Sequence, residues 1–367
     1  MEYESQPYPD YDTLYYSPQF AADCLGITTR ALRSVEDEPG IEIRRINSGS
    51  VPRRVYTPAD LFLIASIRRA KGLTRTLGRP VTISTFVQKG GTAKTTNAVN
   101  LAIYLGFMGQ RVLIIDNDPQ GDATQMLGYD PDLMPDELAE LGIPADRAVS
   151  GCIGNLLAGI KSRFEQLTLD QIIKKPFGEH GPHIIPAEIY LEELEDGLNA
   201  SANREFRYAR FISKGRKGEL PEADLRPYDV IIIDNAPSGS MMTHNSLVAS
   251  DMILSPIRMD RFSTRALSRL GTKLKSFVEE YQRSPDVAAI PTMFIKNRPR
   301  AMAHLARLEE MFPGKVTEGK LYHSEDYSKA LEQGLPLLTW KGASDNSAGA
   351  MRSVFGEILE RLVTLAK

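Results

Sequence analysis

Residues 81–96 read V-T-I-S-T-F-V-Q-K-G-G-T-A-K-T-T. A β-prone run turns through two glycines, and T-N-A-V-N-L-A-I-Y-L then follows with helical periodicity. A strand that passes through such a turn into a helix aims backbone N–H groups and the positive end of the helix dipole at one point, where a phosphate is stabilised. The usual rule for this loop is Gly-x-x-x-x-Gly-Lys-Ser/Thr. Here Gln88 replaces the first glycine, Ala93 replaces the second, and an additional lysine, Lys89, stands at the mouth. Gly90, Gly91, Thr92, Ala93 and Thr96 complete the expected nucleotide loop. Lys94 is placed to reach the β and γ phosphates, and the Thr95 hydroxyl to bind magnesium. Ala93 is expected in an ordinary right-handed conformation, where its methyl group is tolerated.

The runs 81–87, 111–116, 183–186, 228–234, 252–257 and 291–295 are short and apolar on both faces, as buried parallel strands are. Helical patterns at 95–108, 262–282 and 301–311 lie between them. This alternation predicts an α/β fold with a doubly wound, mostly parallel sheet. Two strands end in acidic residues: R-V-L-I-I-D-N-D-P-Q-G-D in Asp116 and Asp118, and Y-D-V-I-I-I-D-N-A-P in Asp234. Carboxylates at the carboxyl ends of parallel strands line the crevice where ligands bind.

Together, K-G-G-T-A-K-T, D-N-D-P-Q and D-N-A-P resemble the motifs of the ParA family of partition ATPases, in the wider group that includes MinD. The resemblance covers about 81–367 and extends to T-M-F-I-K-N-R and L-P-L-L-T-W. It implies a P-loop ATPase domain in which Lys94 binds phosphate in its own subunit. Lys89 would reach across a homodimer to the partner's ATP. It further implies that Asp118 orients or deprotonates the attacking water, while Thr95, Asp116 and Asp234 hold magnesium. A ParB-like partner, slow hydrolysis and nonspecific DNA binding come with the family; candidate contacts are Lys273, Lys275, Arg298 and Arg300.

Ahead of this domain, 1–16 reads as a flexible arm, 17–71 as a compact basic unit and 72–80 as a linker. S-P-Q-F-A-A-D-C-L-G-I-T-T-R-A-L-R has helix-turn-helix texture, with Thr28 as the cap of the second helix. Thr28, Thr29, Arg30 and Arg33 are the expected operator contacts, Arg30 and Arg33 sharing one helix face. I-E-I-R-R-I-N-S-G-S-V-P-R-R-V-Y reads as a hairpin wing carrying Arg53 and Arg54. The whole is similar to the winged helix-turn-helix unit of larger plasmid ParA proteins, which implies repression of its own operon.

The chain has 367 residues, 42% hydrophobic and 25% charged, with a formal net charge of −3. DNA binding must therefore come from local patches. Two distant cysteines suit a reduced cytoplasmic setting, the family resemblance implies association with the nucleoid, and no apolar run is long enough to span a membrane. The C-terminal amphipathic segment is expected to pack on the sheet. Two other readings stay open: a nucleotide-switched transcription regulator that moves no cargo, and a MinD-like spatial positioner.

Overall fold

The computed structural model describes residues 8–48, 51–157, 159, 164–259, 271–272, 277 and 279–367. Six strands form one parallel sheet: β3 (Val81–Thr85), β4 (Val112–Asn117), β5 (His183–Ile185), β6 (Val230–Asn235), β7 (Met252–Arg258) and β8 (Asp286–Thr292). Their order is β5-β4-β6-β3-β7-β8. Strands β3, β4 and β6 are buried along their whole length, which explains why they read as unbroken apolar runs. The expected last strand at 291–295 is displaced: it runs over D-V-A-A-I-P-T and stops at Thr292, because Met293 takes a positive φ of 50°. Its alanines and acidic start conceal it in the sequence. Most of the helix expected over 262–282 lies outside the described residues.

Before the sheet come α1 (Pro18–Cys24), α2 (Thr29–Glu36), the antiparallel pair β1 (Arg45–Ser48) and β2 (Val51–Arg54), and α3 (Pro58–Ala70). Each helix has the cap its sequence offers. The Ser17 and Thr28 side chains accept from Phe20 and Ala31 N–H, and Thr57 forms a reciprocal capping box with Asp60.

This unit is not tethered loosely. It shares one hydrophobic core with the sheet domain, and the centre of contact is Phe62 on α3. Its ring stacks on Phe107 at 4.7 Å and meets Phe177 at 5.2 Å. Gly106 supplies the space, since a Cβ there would lie 2.7 Å from the Phe62 ring. Arg69 forks onto the Asp229 carboxylate. The supposed linker is also fastened: Arg79 pairs with Asp251 at 3.1 Å, and Gln110 donates to the Arg75 carbonyl at 2.6 Å. Nor is the arm flexible from residue 8 onward. Tyr11 and Tyr16 are buried, and the Tyr16 hydroxyl donates to the Thr339 carbonyl at 2.7 Å. Tyrosine rings in such an arm are apolar surface that needs a partner.

The C-terminal helix Ala350–Leu365 buries Met351, Val354, Phe355, Ile358 and Leu362 in the same core, as expected. Among the described residues no helix is long and apolar enough to cross a membrane.

Truncating a fully buried phenylalanine costs about 3–5 kcal/mol. Phe62→Ala should therefore lower the urea midpoint of the whole chain. The shared core further predicts a single transition by fluorescence and circular dichroism; two separated transitions would show that the units unfold independently.

Candidate nucleotide site

The loop between β3 and α4 (Lys94–Phe107) turns through two left-handed positions on either side of Thr92: Gly91 at φ 64° and Ala93 at φ 68°, ψ 35°. Ala93 thus departs from expectation. It occupies the one region where a Cβ is penalised, by roughly 1–2 kcal/mol. The reason is geometric: α4 begins at the next residue, and the chain must reverse to present Lys94 to the crevice. Asn97 secures the turn by donating to the Ala93 carbonyl at 2.7 Å.

At the strand ends, Thr85, Asp234 and Asp116 stand in direct register across β3, β6 and β4. Thr85 Oγ1 donates to Asp234 Oδ1 at 2.6 Å. Asp116 Oδ2 accepts from the backbone N–H and hydroxyl of Thr124 at 2.9 and 2.7 Å. Both carboxylates are fully buried. Burial holds both above the usual carboxylate range, and for Asp116 the neighbouring Asp234 adds to the rise. Hydrogen bonds from Thr85 and Thr95 and the Lys94 charge pull Asp234 the other way. Its Oδ2 still has no partner at hydrogen-bonding geometry among the described residues. An orphaned buried carboxylate oxygen beside a threonine hydroxyl and a second carboxylate is an all-oxygen donor set, which suits a hard divalent cation. Asp234 and Thr95 fit direct contact. Asp116, already bonded through both oxygens, fits contact through water.

Lys94 is itself nearly buried. Burial lowers its pKa, against the opposing pull of Asp234, Asp118 and Asp122. Lys89 sits half-buried at the loop's mouth, its N–H donating to the Val87 carbonyl at 2.8 Å. Asp118 is 7% exposed, and its Oδ1 accepts from Gln120 N–H at 3.1 Å. Thr92 is buried and Thr96 half-buried. All the loop and acidic residues singled out in the sequence therefore gather at one end of the sheet.

Sequence reasoning missed a cavity of about 450 Å³ beside the loop, lined by Gly91, Ala93, Asn97, Thr292, His323 and Tyr327 among others. It is assembled from the end of β8 and the 321–331 segment. T-M-F-I-K-N-R marked the neighbourhood but carried no chemical signature for a pocket wall.

The basic residues divide. Arg30, Arg33 and Arg53 are exposed, whereas Arg54 is ion-paired to Glu36, which also accepts from the Tyr56 hydroxyl. Of the two wing arginines, Arg54 thus secures the hairpin to α2 and Arg53 alone stays open. Thr28 spends its hydroxyl oxygen on the helix cap, and Thr29 is half-buried. Arg298 and Arg300 are exposed around the start of the helix Pro299–Met311. Lys273 and Lys275 lie outside the described residues.

Ala93→Gly should remove the left-handed penalty and raise the nucleotide-free protein's stability by about 1 kcal/mol. Urea denaturation checks this; an unchanged or lower midpoint would mean the strain is absent or is relieved elsewhere.

A family model described as an AAA domain (AAA_31) matches residues 81–287, more than half of the chain. The chain is 28% identical over 254 residues to the sporulation initiation inhibitor protein Soj of Bacillus subtilis, covering 69% of this chain and 88% of that protein. It is 34% identical over 199 residues to the chromosome partitioning protein ParA of Myxococcus xanthus, covering 53% and 57% respectively. In fold it is similar to cobyrinic acid a,c-diamide synthase from Mycobacterium smegmatis, solved with an ATP analogue and magnesium. That likeness has a TM-score of 0.58 at 22% identity, over 77% of this chain and 95% of the other. The chain belongs to the AAA_31 family and, within it, to the ParA-type ATPases.

Proposed function

We propose that this ParA-family ATPase is a DNA-partition protein, driven by ATP with magnesium. The observation that carries the reading is the pair of lysines. Lys94 is enclosed with Asp234, Asp118 and Asp122, so the phosphate lysine of the subunit's own site is already in place. Lys89 stands half-buried at the mouth, and in this reading it meets the phosphate held by a second subunit. A charge that reaches its phosphate only in a homodimer couples hydrolysis to assembly.

In this reading the nucleoside occupies the cavity beside Ala93 and Tyr327. Lys94 and the loop N–H groups hold the phosphates. Thr95 and Asp234 would hold magnesium directly and Asp116 through water, and magnesium held there would supply positive charge beside the phosphates. Asp118 receives the proton of the attacking water or fixes its direction. The ATP-bound dimer binds nucleoid DNA without sequence preference, with Arg298 and Arg300 among its contacts and Lys273 and Lys275 as further candidates. A ParB-like centromere-binding partner stimulates an otherwise slow hydrolysis and releases the dimer. In this scheme the N-terminal unit is a winged helix-turn-helix that binds the operon's own operator through Arg30 and Arg33, with Arg53 on phosphate. The protein is then cytoplasmic and nucleoid-associated.

One observation favours a second reading, a regulator whose nucleotide site only switches operator binding. α3 of the N-terminal unit is packed on the helix that begins at the phosphate loop, so a change at one end has a rigid path to the other.

Binding to random-sequence duplex DNA separates the two. Wild type should bind tightly only with ATP, and Lys89→Ala should lose that ATP-dependent binding by tenfold or more, a change of about 1.4 kcal/mol. Binding that ignores nucleotide and survives the substitution would leave the regulator reading. Arg30→Ala with Arg33→Ala should abolish operator binding while ATP hydrolysis persists.

A further inference from the structure

On the face of the sheet away from α4, the strands are apolar until their last step. Leu113 and Ile115 of β4 and Ile231 and Ile233 of β6 share one buried core with Phe211 and Ile212 of the helix Arg207–Lys217. The next residue along each of these stripes is an asparagine, Asn117 and Asn235, and the two stand in direct register. Each follows a carboxylate, Asp116 or Asp234, whose side chain leaves by the opposite face. Two amides at the end of an apolar stripe are costly to bury unless their polar atoms are bonded.

Here every one has a partner. Asn235 Nδ2 donates to the Thr85 carbonyl at 2.9 Å and lies 2.8 and 3.0 Å from the hydroxyls of Ser84 and Ser246. A carbonyl only accepts, so this contact fixes which end of the amide is nitrogen, and Asn235 Oδ1 must accept. It accepts from Asn117 Nδ2 at 2.8 Å. Asn117 Oδ1 then needs a donor, and the Tyr208 hydroxyl supplies it at 2.7 Å. The chain has one polarity and ends in one hydroxyl. Burial pushes the Tyr208 pKa far up, with Cys152 and Glu195 adding to the rise, so that hydroxyl keeps its proton. Tyr208 is itself anchored, its N–H donating to Asn245 Oδ1 at 3.2 Å.

The chain crosses to the nucleotide face at Thr85, whose carbonyl receives Asn235 while its hydroxyl holds Asp234 at 2.6 Å. On β4, Asn117 is the residue between Asp116 and Asp118. Pinning its side chain fixes the backbone from which both carboxylates project.

We infer that Tyr208 is a positioning residue of the nucleotide site, which through Asn117 and Asn235 holds Asp116, Asp118 and Asp234 in the arrangement that accepts magnesium. The magnesium set rests on the ATPase reading above; the hydrogen-bond chain does not.

The test is Tyr208→Phe in the full chain, which removes the hydroxyl and keeps the ring. Ile212→Val, on the same helix and in the same core, is a control that loses stability without touching the chain of hydrogen bonds. A fluorescent ATP analogue reads nucleotide binding as magnesium is titrated, urea midpoints read stability, and phosphate release gives kcat and KM. Both variants should have lower urea midpoints than wild type. Only Tyr208→Phe should raise the magnesium concentration for half-maximal binding, by about tenfold, with nucleotide affinity in EDTA unchanged. Its kcat should fall while KM for ATP at saturating magnesium stays within about twofold of wild type. Equal magnesium dependence of wild type and Tyr208→Phe overturns the proposal. So does an equal shift in Ile212→Val, since the hydroxyl would then serve the core alone. A wild type that binds nucleotide with magnesium yet releases no phosphate defeats the partition reading, while the magnesium titration still decides the role of Tyr208.

Discussion

Two carboxylates face each other across adjacent parallel strands, in register and out of contact with water. Asp116 and Asp234 cannot both be comfortable as anions there without positive charge, and the rest of the site follows from that demand. The protein answers it incompletely. Thr85, Thr124 and the backbone around them stabilise the pair through hydrogen bonds, Lys94 is drawn in from α4, and among the described residues one oxygen of Asp234 still has no partner at hydrogen-bonding geometry. Such a deficit is filled by a cation, and a nucleotide that brings one finds its position already defined. The left-handed Ala93 belongs to the same arrangement, since it is the turn that delivers Lys94 and Thr95 to the strand ends.

The phosphate helix is fixed from both sides. Midway along it, the Asn100 side chain accepts from the Leu338 N–H at 2.9 Å; one residue further along that segment, Thr339 accepts from Tyr16. L-P-L-L-T-W thus bridges α4 and the N-terminal arm. At its other end, Gly106 and Phe107 receive Phe62. The nucleotide loop and the N-terminal helices are consequently two ends of one packed body.

Much of this was written plainly in the sequence. The phosphate loop, the two acidic strand ends and five of the six strands could be placed because each has a local signature: a glycine turn, a charge after an apolar run, or β-branched residues in series. What escaped was set by contacts between distant segments. The conformation of Ala93 depends on where α4 must start, not on alanine's own preference. Strand β8 is held by β7 along its whole length, and its alanines announce little by themselves. The role of Arg54 depends on Glu36 folding beneath it. The arm and linker were misread because tyrosine, threonine and glycine at 8–16 and 72–80 have the composition of a tether. Only the fold supplies the surface that binds them.

The Phe62 contact also has a meaning for how such a protein can change over time. A module joined through a loose hinge can be exchanged by recombination for another, and the domain beneath it would not notice. Here a crossover between residues 71 and 81 would leave Phe107, Phe177 and the Thr339 segment facing solvent, and would deliver a foreign helix with no side chain shaped for Gly106. The two halves must therefore change together, and variation that keeps the Phe62 contact falls on the exposed faces of α2 and the hairpin rather than on the junction.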